Sequence, residues 1–205
     1  MQNLSQPMAS PRFSVDLTRD EMEKVMTAAY VGQLRNRATE LDAITKERIR
    51  KVSNWLTNRK LKSGLILCGG VGNGKTTMLN AIHKAVKELK RIDQFDNRLW
   101  NLTIYSAEKV NEAAQMHNDA YSQVCTAPWL GIDDIGTESP LVKVYGTEKM
   151  PVANVILERY KSMKPIIITT NLTWDQLEKF YGERVTDRLK EMCEIIVYNT
   201  QSYRK

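Results

Sequence analysis

In the segment Leu65-Ile66-Leu67-Cys68-Gly69-Gly70-Val71-Gly72-Asn73-Gly74-Lys75-Thr76, a short apolar run enters a glycine-rich loop and leaves through a lysine and a threonine. Residues 69–76 satisfy G-x-x-x-x-G-K-[ST] at every required position. The apolar run reads as a buried strand. From Thr76 to about Arg91 the residues Leu79, Ile82, Val86 and Leu89 recur at helical spacing. Strand, glycine turn and helix form the context in which successive backbone N–H groups turn inward around a phosphate, with the positive end of the helix behind them. Gly70, Val71, Gly72, Asn73, Gly74, Lys75, Thr76 and Thr77 are the expected nucleotide-binding residues. Lys75 is placed to reach the β- and γ-phosphates of ATP, and Thr76 Oγ to ligate Mg²⁺.

Working outward, further apolar runs occur at Leu102–Tyr105, Trp129–Ile132, Ile166–Ile168 and Ile195–Val197, with helical segments between the first four. That alternation predicts a parallel sheet covered by helices on both faces. Upstream, Thr18-Arg19-Asp20-Glu21 is a capping box, followed by an apolar stripe at Met22, Val25, Met26, Ala29 and Tyr30. A helix running to about Glu40 is expected there, and a second from about Thr45 to Arg59. Residues 1–15 lack periodicity and read as a disordered or extended lead-in. The organisation is therefore a lead-in and helix over residues 1–44, whose apolar stripe either docks a partner or packs on the chain's own core, and an ATPase domain over 45–205.

Catalysis needs more than a phosphate loop. The Trp129–Ile132 strand ends in Asp133 and Asp134, two adjacent carboxylates that serve one site if the chain curls at the strand end. Asp133 would hold Mg²⁺ through its water shell and Asp134 would polarise the attacking water. In a parallel sheet the Ile166–Ile168 strand brings Asn171 to the same edge, where it can report on the γ-phosphate and the water. Asn171 is equally a turn residue ahead of the capping box Thr173–Gln176. Arg184 and Arg188 lie four apart on one helical face and could meet the charge of a transferred phosphoryl group. A surface ion pair with Glu183, Asp187 or Glu191 is the competing reading.

The chain has 205 residues, of which 42% are hydrophobic and 26% charged, as in ordinary soluble domains. Cys68, Cys125 and Cys193 are scattered, which argues against a zinc site and suits a reducing cytoplasm. No run is long enough to span a bilayer, and a cytoplasmic location is expected. The net charge of +6 permits nucleic-acid binding without establishing it. Lys143, Tyr145 and Lys149 could meet single-stranded DNA by stacking and phosphate contact, or could be ordinary surface residues. His83 and His117 receive no chemistry, and Trp100 and Trp174 read as packing residues.

Taken in order, GGVGNGKTT (69–77), WLGIDDIG (129–136), PIIITTN (165–171), GERVTDRL (182–189) and the closing QSYR (201–204) resemble the DnaC-type helicase loaders, a branch of the AAA+ ATPases. The IstB transposition ATPases and phage-encoded loaders are close relatives of that family. The resemblance covers about residues 45–204, and its later motifs are more specific than the phosphate loop. It implies an α/β three-layer P-loop NTPase sandwich with a five-stranded parallel sheet in the order 5-1-4-3-2, preceded by a short helical extension. It further implies that Lys75 and Thr76 are Walker A, Asp133 and Asp134 Walker B, Asn171 sensor 1, Arg188 the arginine finger with Arg184 beside it, and Arg204 a sensor 2-like nucleotide contact. Its members assemble in a ring or spiral through ATP bound between subunits, engage single-stranded DNA, and place a DnaB-like hexameric helicase on it.

Two departures bear on these expectations. Loaders of this type usually carry a larger amino-terminal domain than the 44 or so residues here. Asp134 stands where many ATPases have glutamate, one methylene shorter, which implies slow intrinsic turnover. Two other functions share the phosphate loop: an IstB-like transposition-regulating ATPase, and more distantly a small-molecule P-loop kinase. The kinase would need an acceptor pocket, and the paired aspartates with Asn171 fit water activation better.

Overall fold

The computed structural model describes residues 14–34, 41–90, 101–116 and 119–198. Helix α1 (Arg19–Val31) starts with the predicted capping box, in which Thr18 Oγ1 accepts from the Glu21 amide and the Glu21 carboxylate accepts from the Thr18 amide. It stops at Gly32, well short of the expected Glu40, because glycine carries the largest backbone entropy cost in a helix after proline's steric one. Helix α2 (Ala43–Thr57) is capped by Asp42 and leads to β1 (Gly64–Gly69), the phosphate loop and α3 (Lys75–Glu88). There follow β2 (Leu102–Ser106), α4 (Ala107–Gln115), α5 (Ala120–Thr126) and β3 (Trp129–Ile135). A hairpin of β4 (Val142–Val144) and β5 (Thr147–Lys149) precedes α6 (Pro151–Lys161), β6 (Ile166–Thr170), α7 (Trp174–Tyr181), α8 (Glu183–Met192) and β7 (Cys193–Tyr198).

The main sheet is parallel, in the order β2-β3-β6-β1-β7. Setting the separate hairpin aside and counting its strands along the chain, this is the predicted 5-1-4-3-2. Strand alternation divides the core into two. Leu65, Leu67 and Ile167 enter a cluster with α1, α2 and α3, whereas Ile66, Ile166 and Ile168 enter one with residues of α4, α6, α7 and α8. Three layers result. The stripe Met22, Met26, Ala29 and Tyr30 is buried in the first cluster, so α1 packs on this chain's own core. Among the described residues, no helix is long and apolar enough to cross a membrane.

The hairpin was not foreseen from the sequence. Tyr145 (φ 50°) and Gly146 (φ 77°) both take positive φ, the requirement of a two-residue type I′ turn.

On α6, Arg159 is fully buried and donates to the carbonyls of Ala127, Pro128 and Pro165. It ties together the entries to β3 and β6. Burial lowers its pKa to about 10, and its hydrogen-bond partners among the described residues are backbone carbonyls.

Candidate active site

The carboxyl ends of β1, β3 and β6 meet at one edge of the sheet, and the phosphate loop lies on it. Gly72 and Gly74 take φ of 80° and 87°, which aims the loop amides inward at the start of α3. Lys75 is buried, and its Nζ donates to the carbonyls of Gly69 and Gly70 and to Asn171 Oδ1, each at 2.7 Å. Burial lowers its pKa, while the carboxylates of Asp134 and Asp133 oppose that shift. Thr76 is exposed at the first turn of α3, and its Oγ1 donates to Asp133 Oδ1 at 3.1 Å. Thr77 follows it, partly buried, while Gly70 and Val71 are exposed on the loop.

The two aspartates do converge. Between Ile132 and Ile135 the register of β3 against β6 shifts, and Asp134 takes φ 56°. Aspartate tolerates this left-handed conformation better than most residues. The curl turns Asp134 toward β6, where its Oδ1 accepts from Asn171 Nδ2 at 3.3 Å. Lys75, Asn171 and Asp134 thus form one chain of contacts. The chemistry assigned to these residues from the sequence requires that proximity.

Thr169 is the residue that sequence reasoning missed here. Its Oγ1 donates to Asp133 Oδ1 at 2.6 Å and accepts from the Asp134 amide at 2.8 Å, so one hydroxyl orients both acids. Burial raises the Asp133 carboxyl above its ordinary value, and the bond from Thr169 offsets part of that rise. An oxygen-only set of Thr76 and Asp133 has the hard-donor character that Mg²⁺ requires.

The loop is also supported from behind. Asn73 is buried; its Nδ2 donates to the Tyr198 carbonyl at 2.9 Å, and its own carbonyl accepts from Arg48 at 3.4 Å. The Arg48 guanidinium stacks on the Tyr198 ring, 3.9 Å from its centre. A Cβ at Gly74 would stand 2.9 Å from the Tyr30 hydroxyl, so α1 roofs the loop. Neither Arg48 nor Tyr30 belongs to a motif, and only the stripe spacing around Tyr30 hinted at burial.

Arg184 and Arg188 share one polar face of α8, in a shallow concavity with Glu183 and Asp187. Arg188 pairs with Glu191 at 2.7 Å and lies over the Tyr160 ring. Tyr160 is near the end of α6, which leads to the amino end of β6. The neighbouring Lys190 carbonyl accepts from Lys62, just ahead of β1. Arg188 therefore stands toward the amino edge of the sheet, away from the phosphate loop at the carboxyl edge.

Lys143 and Lys149 do not converge. Lys143 pairs with Glu148 and Lys149 with Val142, which puts the two lysines on opposite faces of the hairpin, with Tyr145 76% exposed at its tip. Trp174 packs on the second core cluster as expected, and His83 Nδ1 is 2.6 Å from the Leu102 carbonyl. Arg204, His117 and Trp100 lie outside the described residues.

A glycine-rich loop, paired acids and a polar strand end on one edge of a 5-1-4-3-2 sheet define a P-loop ATP-binding protein of the AAA+ type. A sequence profile of the IstB-like ATP binding proteins matches residues 21–205, and the chain belongs to that family. Its fold is that of the DnaC helicase loader: the crystal structure of that protein aligns with a TM-score of 0.63 and 22% identity, over 83% of this chain and 98% of the other. DnaI aligns with a TM-score of 0.59 and 20% identity, over 94% and 96%. The replication initiator DnaA bound to AMPPCP and single-stranded DNA aligns with a TM-score of 0.57 and 16% identity, over 82% of this chain and 50% of the other. A comparison with curated protein sequences found no match.

Proposed function

We propose that this chain is an ATP hydrolase that loads a DnaB-like replicative helicase onto single-stranded DNA, with ATP bound between subunits as an assembly switch. One observation carries the reading: Lys75, Asp133, Asp134 and Asn171 meet at the carboxyl edge of the sheet, whereas Arg188 stands at the amino edge. An arginine so placed is badly positioned for its own nucleotide and well positioned for that of a neighbour. Mg²⁺ would be held by Thr76 and Asp133 and would supply positive charge to the bound phosphates. Asp134 would orient the attacking water and accept its proton, with Asn171 fixing the carboxylate. Asp134 lacks the extra methylene of a glutamate, so its reach is short and unassisted turnover is slow. The DnaC helicase loader and the DNA-bound initiator that share the fold support the helicase and single-stranded DNA assignments.

Sedimentation tests the proposal. Mg·ATP with single-stranded DNA is expected to convert monomers into a larger species that retains a hexameric helicase, and Lys75→Ala to abolish the conversion. A chain that stays monomeric with both ligands sinks the reading. The family match favours a second one, an IstB-like regulator of transposition acting on duplex DNA. Capture of a transposase in place of a helicase, with a preference for duplex, would decide for it.

A further inference from the structure

Glu138 and Tyr181 are 5% and 6% exposed, and neither contributes to the chemistry above. Glu138 lies in the turn that follows β3. Tyr181 is the last residue of α7. The Tyr181 hydroxyl donates to Glu138 Oε1. The Gly136 amide donates to Glu138 Oε2 at 2.8 Å and to the Tyr181 oxygen at 3.1 Å. Taking a carboxylate out of water is expensive, and an apolar side chain would fill the same space at lower cost. Three convergent polar groups at that cost point to a geometric task.

The turn is pinned along its length. The Asp134 carbonyl accepts from the Thr137 amide and hydroxyl, and the Ile135 carbonyl accepts from Thr170 Oγ1 at 2.9 Å. Gly136 takes φ 91°, and a Cβ there would strike Leu172, the residue after Asn171. A displacement of Asp134 must therefore move Gly136, and with it the Glu138–Tyr181 pair. On the other side, Tyr181 is followed by Gly182 at φ 85° and then by α8, which carries Arg184 and Arg188.

We infer that Glu138 and Tyr181 are a positioning pair that ties the turn behind Asp134 to the arginine-bearing helix, so that one subunit's own nucleotide site and the helix it offers to a neighbour move together. The inference rests on the ATPase reading above. Its contribution is the internal coupling, which neither Lys75 nor Arg188 supplies.

The test uses the full chain with Tyr181→Phe, which deletes only the hydroxyl. Binding of a fluorescent ATP analogue should stay within about twofold and KM should hold, while kcat falls about tenfold, the signature of a lost orienting contact. Hydrogen exchange supplies a second readout. In the wild type, Mg·ATP should slow exchange in residues 183–192, and in Tyr181→Phe that slowing should shrink by roughly threefold or more. Glu138→Gln, which keeps an acceptor for the tyrosine, should fall between the two and carries the test if Tyr181→Phe does not fold. Wild-type kcat and wild-type exchange response in both variants would overturn the coupling. So would an equal loss of ATP affinity and thermal stability, which marks a purely structural role. If the wild type itself neither binds nor hydrolyses ATP, the ATPase reading fails first, and that failure is visible without any variant.

Discussion

Thr169 Oγ1 lies 2.6 Å from Asp133 Oδ1, donating its proton to the carboxylate while receiving the Asp134 amide. A strand residue of β6 therefore aims the acids of β3. Both acids at the end of β3 are placed by a single hydroxyl.

Thr169→Val keeps the shape and removes that hydroxyl, leaving the half-buried Asp134 amide without its partner. Loss of about 1–3 kcal/mol of folding stability is expected by chemical denaturation. Phosphate release should fall by tenfold or more while ATP binding changes little, because Lys75 and the loop amides are untouched.

The raised pKa of Asp133 has a definite sign in stability. A carboxyl whose native pKa lies above its ordinary 3.8 binds more protons folded than unfolded in the window between the two values. Stability from this group is therefore greatest below 3.8 and is lost as pH rises through the native pKa. Asp133→Asn removes that loss. It should raise the melting temperature at pH 7, remove the fall in stability that this group contributes as pH rises from 3.8 through its native pKa, and abolish the dependence of ATP binding on Mg²⁺. A lower melting temperature at pH 7 would contradict the sign.

Arg188 is partly exposed, and its solvent-facing pair with Glu191 should contribute little to folding. Arg188→Ala is accordingly expected to melt and bind ATP like the wild type, but to lose hydrolysis stimulated by self-assembly. Mixing it with Asp134→Ala should restore activity, because the mixed interface unites an intact acid with an intact arginine. Absence of rescue would show that Arg188 does not act across subunits.

Arg159→Leu should be the most damaging of these substitutions to the fold. It strips donors from the carbonyls of Ala127, Pro128 and Pro165. A loss of roughly 3 kcal/mol or more is expected from the uncompensated acceptors, or about 6–12 °C in melting temperature for a chain of this size.

The phosphate loop, both carboxylates and the parallel sheet were legible because each rests on local spacing: glycines at fixed offsets, apolar runs, and acids at a strand end; the strand order came only from the family resemblance. What stayed hidden joins elements far apart in sequence. Thr169 is an ordinary strand threonine until β6 lies beside β3 and its hydroxyl finds Asp133. Arg48 looks like one more cation on a basic helix, yet it is 5% exposed and stacked on Tyr198. The helix starting at Arg19 ends sooner than its apolar stripe and the absence of proline suggest, because Gly32 caps it. The Tyr145-Gly146 turn did carry a signal, the alternating segment Val142-Lys143-Val144 running into a glycine-containing dipeptide, and it sets Lys143 and Lys149 on opposite faces.

The Tyr30 hydroxyl sits over Gly74, and the rest of the α1 stripe shares its burial with α3. The grip on the triphosphate thus has a handle at the far amino-terminal side of the chain. A protein that prised α1 upward would loosen the lid over the loop without touching a single catalytic group, and nucleotide exchange would follow from that leverage alone.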